Sequence, residues 1–279
     1  MNITTSPPVA DISISNNPLG VAISERDTDI LGMVDRAVRD GRVRLAYQPI
    51  VSAATPDKPA YFEGLVRVLD ENGRTIPARD FIEQIETHEL GRQIDCLALE
   101  LGIEALRKNP NLKLAINMSA RSIGYRPWIR TLEAGLARAG TAAQRLILEI
   151  TESSAMVMPD VVRSFMDDLQ SQGISFALDD FGAGHTSFRY LKSFYFDILK
   201  IDGQFIRNIH KDSDNQVLVQ ALVGIGQQFG MFTVAESVET KEEADFLTAA
   251  GLDCLQGYLF GAPTLDPAFK ISTLRRLTH

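Results

Sequence analysis

The sequence predicts an α/β barrel, and three observations carry that expectation. Six short, mostly apolar strand-like segments, at 113–116, 146–150, 176–178, 196–199, 232–235 and 253–255, each lead to a polar residue: Asn117, Glu152, Asp179, Lys200, Glu236 and Gln256. Between them lie segments with apolar residues at helical spacing, such as Val161-Phe165-Leu169 and Leu218-Ala221-Leu222-Ile225. Short strands alternating with helices build a parallel sheet. Two further strands open the chain and bring the total to eight. A length of 279 residues suffices for one closed barrel of about 250 residues with its polar strand ends gathered at one mouth.

Taken in order, residues 1–26 are rich in Ser, Thr, Pro and Asn without sustained periodicity, so a flexible N-terminal tail is expected, with the barrel domain over 27–279. A helix is expected over 27–40, with Ile30, Met33, Val34 and Ala37 on one face and Gly41 ending it. Residues 44–51 and 61–68 read as strands separated by a polar turn at 55–59, a spacing that suits an antiparallel hairpin. Helices follow around 78–86 and over 91–108, the second with Ile94, Leu97, Leu101 and Ala105 at helical spacing. The strand–helix rhythm then begins. The uncharged run 217–235 contains Gln220, Gln227 and Gln228, so it reads as a helix ending near Gly230 and a short strand, with no membrane span.

A charge of −8 lacks the basic face that a nucleic-acid polymer would need, so no such partner is expected. An anionic small molecule remains compatible if metal ions intervene. The two cysteines, Cys96 and Cys254, sit in apolar contexts and read as free thiols of a reducing compartment. The start of the chain has no basic n-region or compact apolar h-region, and a cytoplasmic location is expected. Four scattered histidines make a His-rich zinc site a poor expectation, and His185 reads as a loop residue.

The chemistry concentrates on hard oxygen ligands: Glu63, Asn117, Glu149, the adjacent pair Asp179-Asp180, and Glu236. Such oxygens suit Mg²⁺ or Mn²⁺. An aspartate shared by two ions is a device of phosphoryl chemistry, and Asp179 is the expected bridge, with Asp180 directed to one ion. Lys200 gains a purpose beside a phosphate or an attacking water, and Arg67, on the strand of Glu63, can pair with phosphate. Each residue taken singly has a plainer explanation, as a helix cap or a surface charge; the set of polar strand ends favours a metal site. Asp-Phe-Gly at 180–182 also occurs in kinases, but the glycine-rich and catalytic loops of that fold are missing.

The ordered stretches YQPIV (47–51), EGLVR (63–67), NMS (117–119), LEITES (148–153), DDFGAGHTSF (179–188), LKID (199–202), AESVE (235–239) and QGYLF (256–260) resemble the EAL family of cyclic di-GMP phosphodiesterases. The similarity covers about residues 45–263. It implies a modified (β/α)8 TIM-type barrel with an antiparallel early strand, in agreement with the hairpin. It implies hydrolysis of cyclic di-GMP to linear 5′-pGpG with two Mg²⁺ or Mn²⁺ ions. Glu63, Asn117, Glu149 and Asp179 would hold one ion, and Asp179, Asp180 and Glu236 the other. Lys200 would orient the attacking water, and Glu236 is assigned in the family either as general base or as ligand. Glu152 would brace the loop after Asp180. Gln48, Leu65, Arg67, Glu239 and Gln256 match substrate-contacting positions. A homodimer formed near that loop is implied as well. The chain departs from the family pattern at Gly64, where alanine is usual, and at Ala183 and His185, where Gly-Thr-Gly-Tyr-Ser-Ser is commoner.

Three activities fit these residues: an active cyclic di-GMP phosphodiesterase, a cyclic di-GMP receptor acting through a protein partner, and a metal-dependent barrel acting on another phosphoester. The full set of ligands favours the first. No cyclase or sensor domain is expected within residues 1–26.

Overall fold

The computed structural model describes residues 18–183, 191–192 and 194–269, with side-chain surroundings from residue 29 onward. The expected tail over 1–17 and the loop residues Gly184 and His185 lie outside the described residues. Helix α1 (Pro18–Arg39) starts earlier than the expected 27, inside the stretch read as tail. Proline suits a first helical turn, because its missing N–H is a donor that turn leaves unpaired anyway.

Strands β1 (Val43–Ser52) and β2 (Thr55–Leu69) form the antiparallel hairpin, and the short β3 (Thr75–Pro77) pairs with β2. The turn is tighter than expected: Ser52 pairs with Thr55, and residues 55–59 extend β2. Pro59 is tolerated there because the register shifts on either side of Val51, opening the ladder where an N–H is missing.

After α2 (Ile82–Ile85) and α3 (Glu89–Lys108) come β4 (Leu114–Asn117), α4 (Arg126–Ala139), β5 (Leu146–Thr151), α5 (Glu152–Val157), α6 (Pro159–Gln170), β6 (Ser175–Phe181), β7 (Ile198–Ile201), α7 (Ser213–Phe229), β8 (Phe232–Ala235), α8 (Lys241–Ala249) and β9 (Cys254–Gln256). The sheet runs β1-β9-β8-β7-β6-β5-β4-β2-β3, and the β1–β2 pairing closes it into an eight-stranded barrel with β3 outside. The pairs from β2–β4 round to β8–β9 are parallel; β1 is antiparallel to both neighbours. The uncharged run resolves into α7 and β8, with Gly230 at φ 70 between them, a left-handed turn that glycine adopts freely. Among the described residues no helix is long and apolar enough to cross a membrane. Cys254 is buried, Cys96 half-buried, and both are free thiols.

Side chains alternate along each strand, so every second residue enters the barrel. Ile50, Tyr61, Ala115, Ile147, Ala177, Ile198, Val234 and Cys254 pack into an interior floor. The helices bury a second, larger core against the outside of the sheet around Trp128, Phe165 and Phe176. A third cluster, including Val34, Val68, Phe81 and Ile94, seats α1, α2 and α3 on the hairpin.

Gly64 is packed in a way the sequence alone conceals. A Cβ there would lie 2.8 Å from Ile116 Cδ1, and the same methyl lies 2.8 Å from a Cβ built at Gly102. Ile116 therefore fills the space an alanine would take. Gly64→Ala is expected to be net destabilising by about 1 kcal/mol, because overpacking costs roughly 1–3 kcal/mol while alanine recovers roughly 0.4–1 kcal/mol of backbone entropy. Ile116→Val removes that methyl, and in its background Gly64→Ala should cost nothing measurable. Denaturant midpoints of the four proteins of that double-mutant cycle read the coupling.

Candidate active site

Two residues along each parallel strand beyond the apolar floor stand the residues singled out from the sequence. Tyr61 leads to Glu63, Ala115 to Asn117, Ile147 to Glu149, Ala177 to Asp179, Ile198 to Lys200, Val234 to Glu236 and Cys254 to Gln256. On antiparallel β1 the same step runs backwards, from Ile50 to Gln48. Strand alternation thus gathers these side chains at one mouth of the barrel. Several lie within strands rather than beyond them: β6 contains Asp179 and Asp180, and β7 contains Lys200.

Adjacent residues of a regular strand face opposite sides, so Asp179 and Asp180 could not share a site on one. The register breaks between Leu178 and Phe181, and Asp180 adopts φ 54. Aspartate tolerates this left-handed conformation better than most residues. The bulge turns Asp180 towards the mouth, where Asp179, Asp180 and Glu236 each offer an oxygen within 4.8 Å of the others. At the exit of β5, buried Glu152 accepts a hydrogen bond from Gly182 N at 3.1 Å and ties the end of the bulge down.

Lys200 is 1% exposed and lies among four carboxylates. Its Nζ is 2.7 Å from Glu236 Oε1, 2.8 Å from Asp179 Oδ1, 3.1 Å from Glu149 Oε2 and 3.5 Å from Glu63 Oε2. Glu63 accepts hydrogen bonds from Asn117 Nδ2 and Gln256 Nε2, both at 2.7 Å. Gln256 Nε2 also reaches Gln48 Oε1 at 3.1 Å, and Gln48 Nε2 donates to Gly261 O at 3.2 Å. Gly257 follows Gln256 because a Cβ there would lie 2.0 Å from Val238 O, where the loop after β8 crosses it.

The electrostatics of the ring are unbalanced. One ammonium faces four acids, so three formal negative charges remain if all are ionised. Burial pushes the carboxyls of Glu149 and Glu236 well above the usual range, against the pull of Lys200. Burial also raises Asp180 to about 6, with the Asp179 charge adding to it. Burial acts on Glu63 in the same direction, but Lys200 and the amides of Gln256 and Asn117 outweigh it and hold Glu63 low. Lys200 resists burial for the same reason, and its four acids keep it charged. Among the described residues, Glu149 Oε1 is buried without a hydrogen-bond partner. Excess buried carboxylate with an unpaired oxygen is what a divalent cation would satisfy. The donor set of carboxylates and one amide suits a hard cation such as Mg²⁺ or Mn²⁺.

The cleft over the ring has a volume of about 680 Å³ and is lined by Gln48, Glu63, Leu65, Asn117, Asp179, Asp180, Lys200, Glu236, Glu239 and Gln256. Glu149 is sealed beneath this surface, fully buried. Arg67 stands beside the cleft without lining it; its Nη1 donates to Val66 O at 2.8 Å. Sequence reading missed Arg79, Asp95, Arg207 and Tyr258, which also line the cleft. Asp95 had a signal: an acid on the buried stripe of α3 that holds Gly91, Ala98 and Gly102. Its Oδ2 accepts from Ser119 N at 3.1 Å and Ser122 Oγ at 2.5 Å, and burial raises its carboxyl to about 6. Arg207 and Tyr258 sit in turns, which carry no periodic pattern, and Arg79 lies in the single short helical turn 78–80, too brief to show one.

The family model described as EAL domain matches residues 32–263. Among curated proteins, the chain is 31% identical over 233 residues to the cyclic di-GMP phosphodiesterase NbdA of Pseudomonas aeruginosa, covering 82% of this chain and 30% of that protein. It is 31% identical over 283 residues to the cyclic di-GMP phosphodiesterase PdeF of Escherichia coli, covering 96% of this chain and 38% of that one. The chain thus spans about a third of the length of the curated relatives it matches. Among solved structures, that of the PaMucR phosphodiesterase in complex with c-di-GMP superposes with a TM-score of 0.74 at 30% identity, over 85% of this chain and 97% of that chain. An EAL domain protein from Listeria monocytogenes superposes with a TM-score of 0.74 at 26% identity, over 84% of this chain and 93% of that chain.

Proposed function

The chain belongs to the EAL domain family, and on that footing we propose that it hydrolyses one phosphodiester of cyclic di-GMP to give linear 5′-pGpG. The observation that carries the reading is the convergence of Asp179, Asp180 and Glu236 within 4.8 Å beside Lys200, above an acid ring with more negative charge than the chain itself neutralises. Relatives named cyclic di-GMP phosphodiesterases at about the same identity support the substrate.

Two divalent cations would supply Lewis-acid neutralisation of the phosphate and an activated water. Glu63, Asn117, Glu149 and Asp179 would hold one, and Asp179, Asp180 and Glu236 the other. Lys200, at the floor of the cleft beside Asp179 and Glu236, would orient the attacking water. Glu236 would serve either as general base for that water or as a ligand of the second ion. Water oxygen bonds to phosphorus, the bond to the ribose 3′ oxygen breaks, and that oxygen leaves with a proton. Gln48, Leu65, Glu239 and Gln256 line the wall against which the nucleotide would lie, and Tyr258, 60% exposed, offers a ring on which a base can stack. A homodimer is part of the same reading.

Incubation with cyclic di-GMP and Mn²⁺ or Mg²⁺, followed by chromatography, tests the reaction. The expected product is pGpG, formed with metal and lost with chelator. Tight binding without product would favour a receptor acting through a protein partner. Neither binding nor turnover would overturn the substrate itself. Sedimentation of the same preparation reads its mass.

A further inference from the structure

A cyclic dinucleotide carries two phosphodiesters, and the acid ring accounts for one. The other needs its own cation in a cleft that is mostly acidic. Three cationic side chains line that cleft, Arg79, Lys200 and Arg207, while Arg67 stands beside it with Nη1 held by Val66 O. Lys200 is committed to its four acids. The guanidinium of Arg79 lies 3.6 Å from Asp80 Oδ1. Arg207 is exposed, and among the described residues its guanidinium has no ion pair or hydrogen bond.

The backbone that carries Arg207 is fixed. Ile206 and Ile209, on either side, are fully buried. Arg207 N donates to Gly203 O at 3.1 Å. Gly203 is held against the loop after β8, where a Cβ would lie 2.4 Å from Ser237 Oγ. The next residue, Asn208, adopts φ 57 and donates its N–H to Glu243 Oε1 at 2.7 Å. The other oxygen of Glu243 accepts from Glu239 N at 2.9 Å and Thr240 N at 3.0 Å. Glu243 is 3% exposed, so one buried carboxylate fastens the arm bearing Arg207 to the loop that bears Glu236 and Glu239. A free guanidinium on an immobilised backbone is preorganised for an anion, because only its own rotamers are left to order.

We propose that Arg207 is a substrate-positioning residue that takes the non-scissile phosphate of the cyclic dinucleotide, and that Glu243 holds it in register with the reacting group. The inference rests on the phosphodiesterase reading above and assigns a role to a residue outside the acid ring. It makes Arg207 a determinant of selectivity for substrates with a second phosphate.

The test compares wild type, Arg207→Ala, Arg207→Lys and Glu243→Gln in steady-state hydrolysis of cyclic di-GMP at several salt concentrations. Calorimetric Kd values for cyclic di-GMP on the same proteins read binding whether or not product forms. Arg207→Ala should raise KM and Kd about tenfold while kcat falls less than about threefold, and its KM should depend less on salt concentration than that of wild type, because one screened charge–phosphate contact is gone. Arg207→Lys should recover part of the loss. Glu243→Gln keeps one acceptor oxygen and turns an N–H donor onto the remaining backbone N–H groups, so its melting temperature should fall, and at a temperature where it is fully folded its KM should rise in the same direction with kcat little changed. KM, Kd and salt slope all unchanged in Arg207→Ala would overturn the proposal. Unchanged KM in Glu243→Gln would overturn the clasp. A wild type that neither binds nor hydrolyses would sink the phosphodiesterase reading instead, and this inference with it.

Discussion

Replacing Asp179 with asparagine is expected to lower turnover of cyclic di-GMP by at least about a thousandfold, equivalent to roughly 4 kcal/mol of transition-state stabilisation. The change keeps the shape of the side chain and removes one anionic oxygen. Asp179 is the carboxylate common to both proposed ion sites: it shares the mouth with Asp180 and Glu236 and touches Lys200 at 2.8 Å. An amide nitrogen cannot ligate a cation, so one substitution disturbs both. Calorimetric titration of Mn²⁺ without substrate should show fewer bound ions than wild type. In the metal-free state the same variant should melt at a higher temperature, because it removes one of four acids crowded around a single ammonium. Activity within tenfold of wild type, or an unchanged metal stoichiometry, would refute the shared-ligand assignment.

The barrel was legible because its strands are short, apolar and spaced by amphipathic helices, and because each strand carries a polar residue at the same step beyond the floor. That step is a period-two property and does not depend on strand ends: Lys200 and Asp179 lie inside strands whose apolar runs stop at them. The convergence of Asp180 was not legible, since alternation alone would turn it away from Asp179. Only the bulge and the φ of 54 bring it round. Nor could the sequence show that Ile116 occupies the place of a missing methyl at Gly64, because that contact joins positions on neighbouring strands. Arg207 lacked a signal for a related reason. Its role depends on Glu243, 35 positions away from Asn208 in sequence, whose capping-box pattern points only to its own helix.

The same crowding of acids fixes a second large expected effect, on stability. Glu149 and Glu236 have folded-state carboxyls raised above their unfolded values, chiefly by burial. The sign follows from linkage: the folded state binds protons more tightly than the unfolded one, so this contribution is full below the ordinary carboxylate range and is lost as pH rises through the raised values. Asp180, raised to about 6, acts in the same direction between about pH 4 and 6. The metal-free protein should therefore lose stability on going from pH 5 to pH 8. Divalent cations compete with those protons, so the stabilisation by Mn²⁺ should grow over the same interval, reaching about 2.7 kcal/mol where the metal is at a hundred times its Kd. Lys200→Met removes the ammonium that faces the four acids and should steepen the metal-free decline and enlarge the Mn²⁺ effect. Melting temperatures with chelator and with Mn²⁺, taken across that pH range for both proteins, decide the matter. A metal-free stability that rises with pH, or a Mn²⁺ shift that is flat with pH, would show that the ring is balanced by some other means than bound cations.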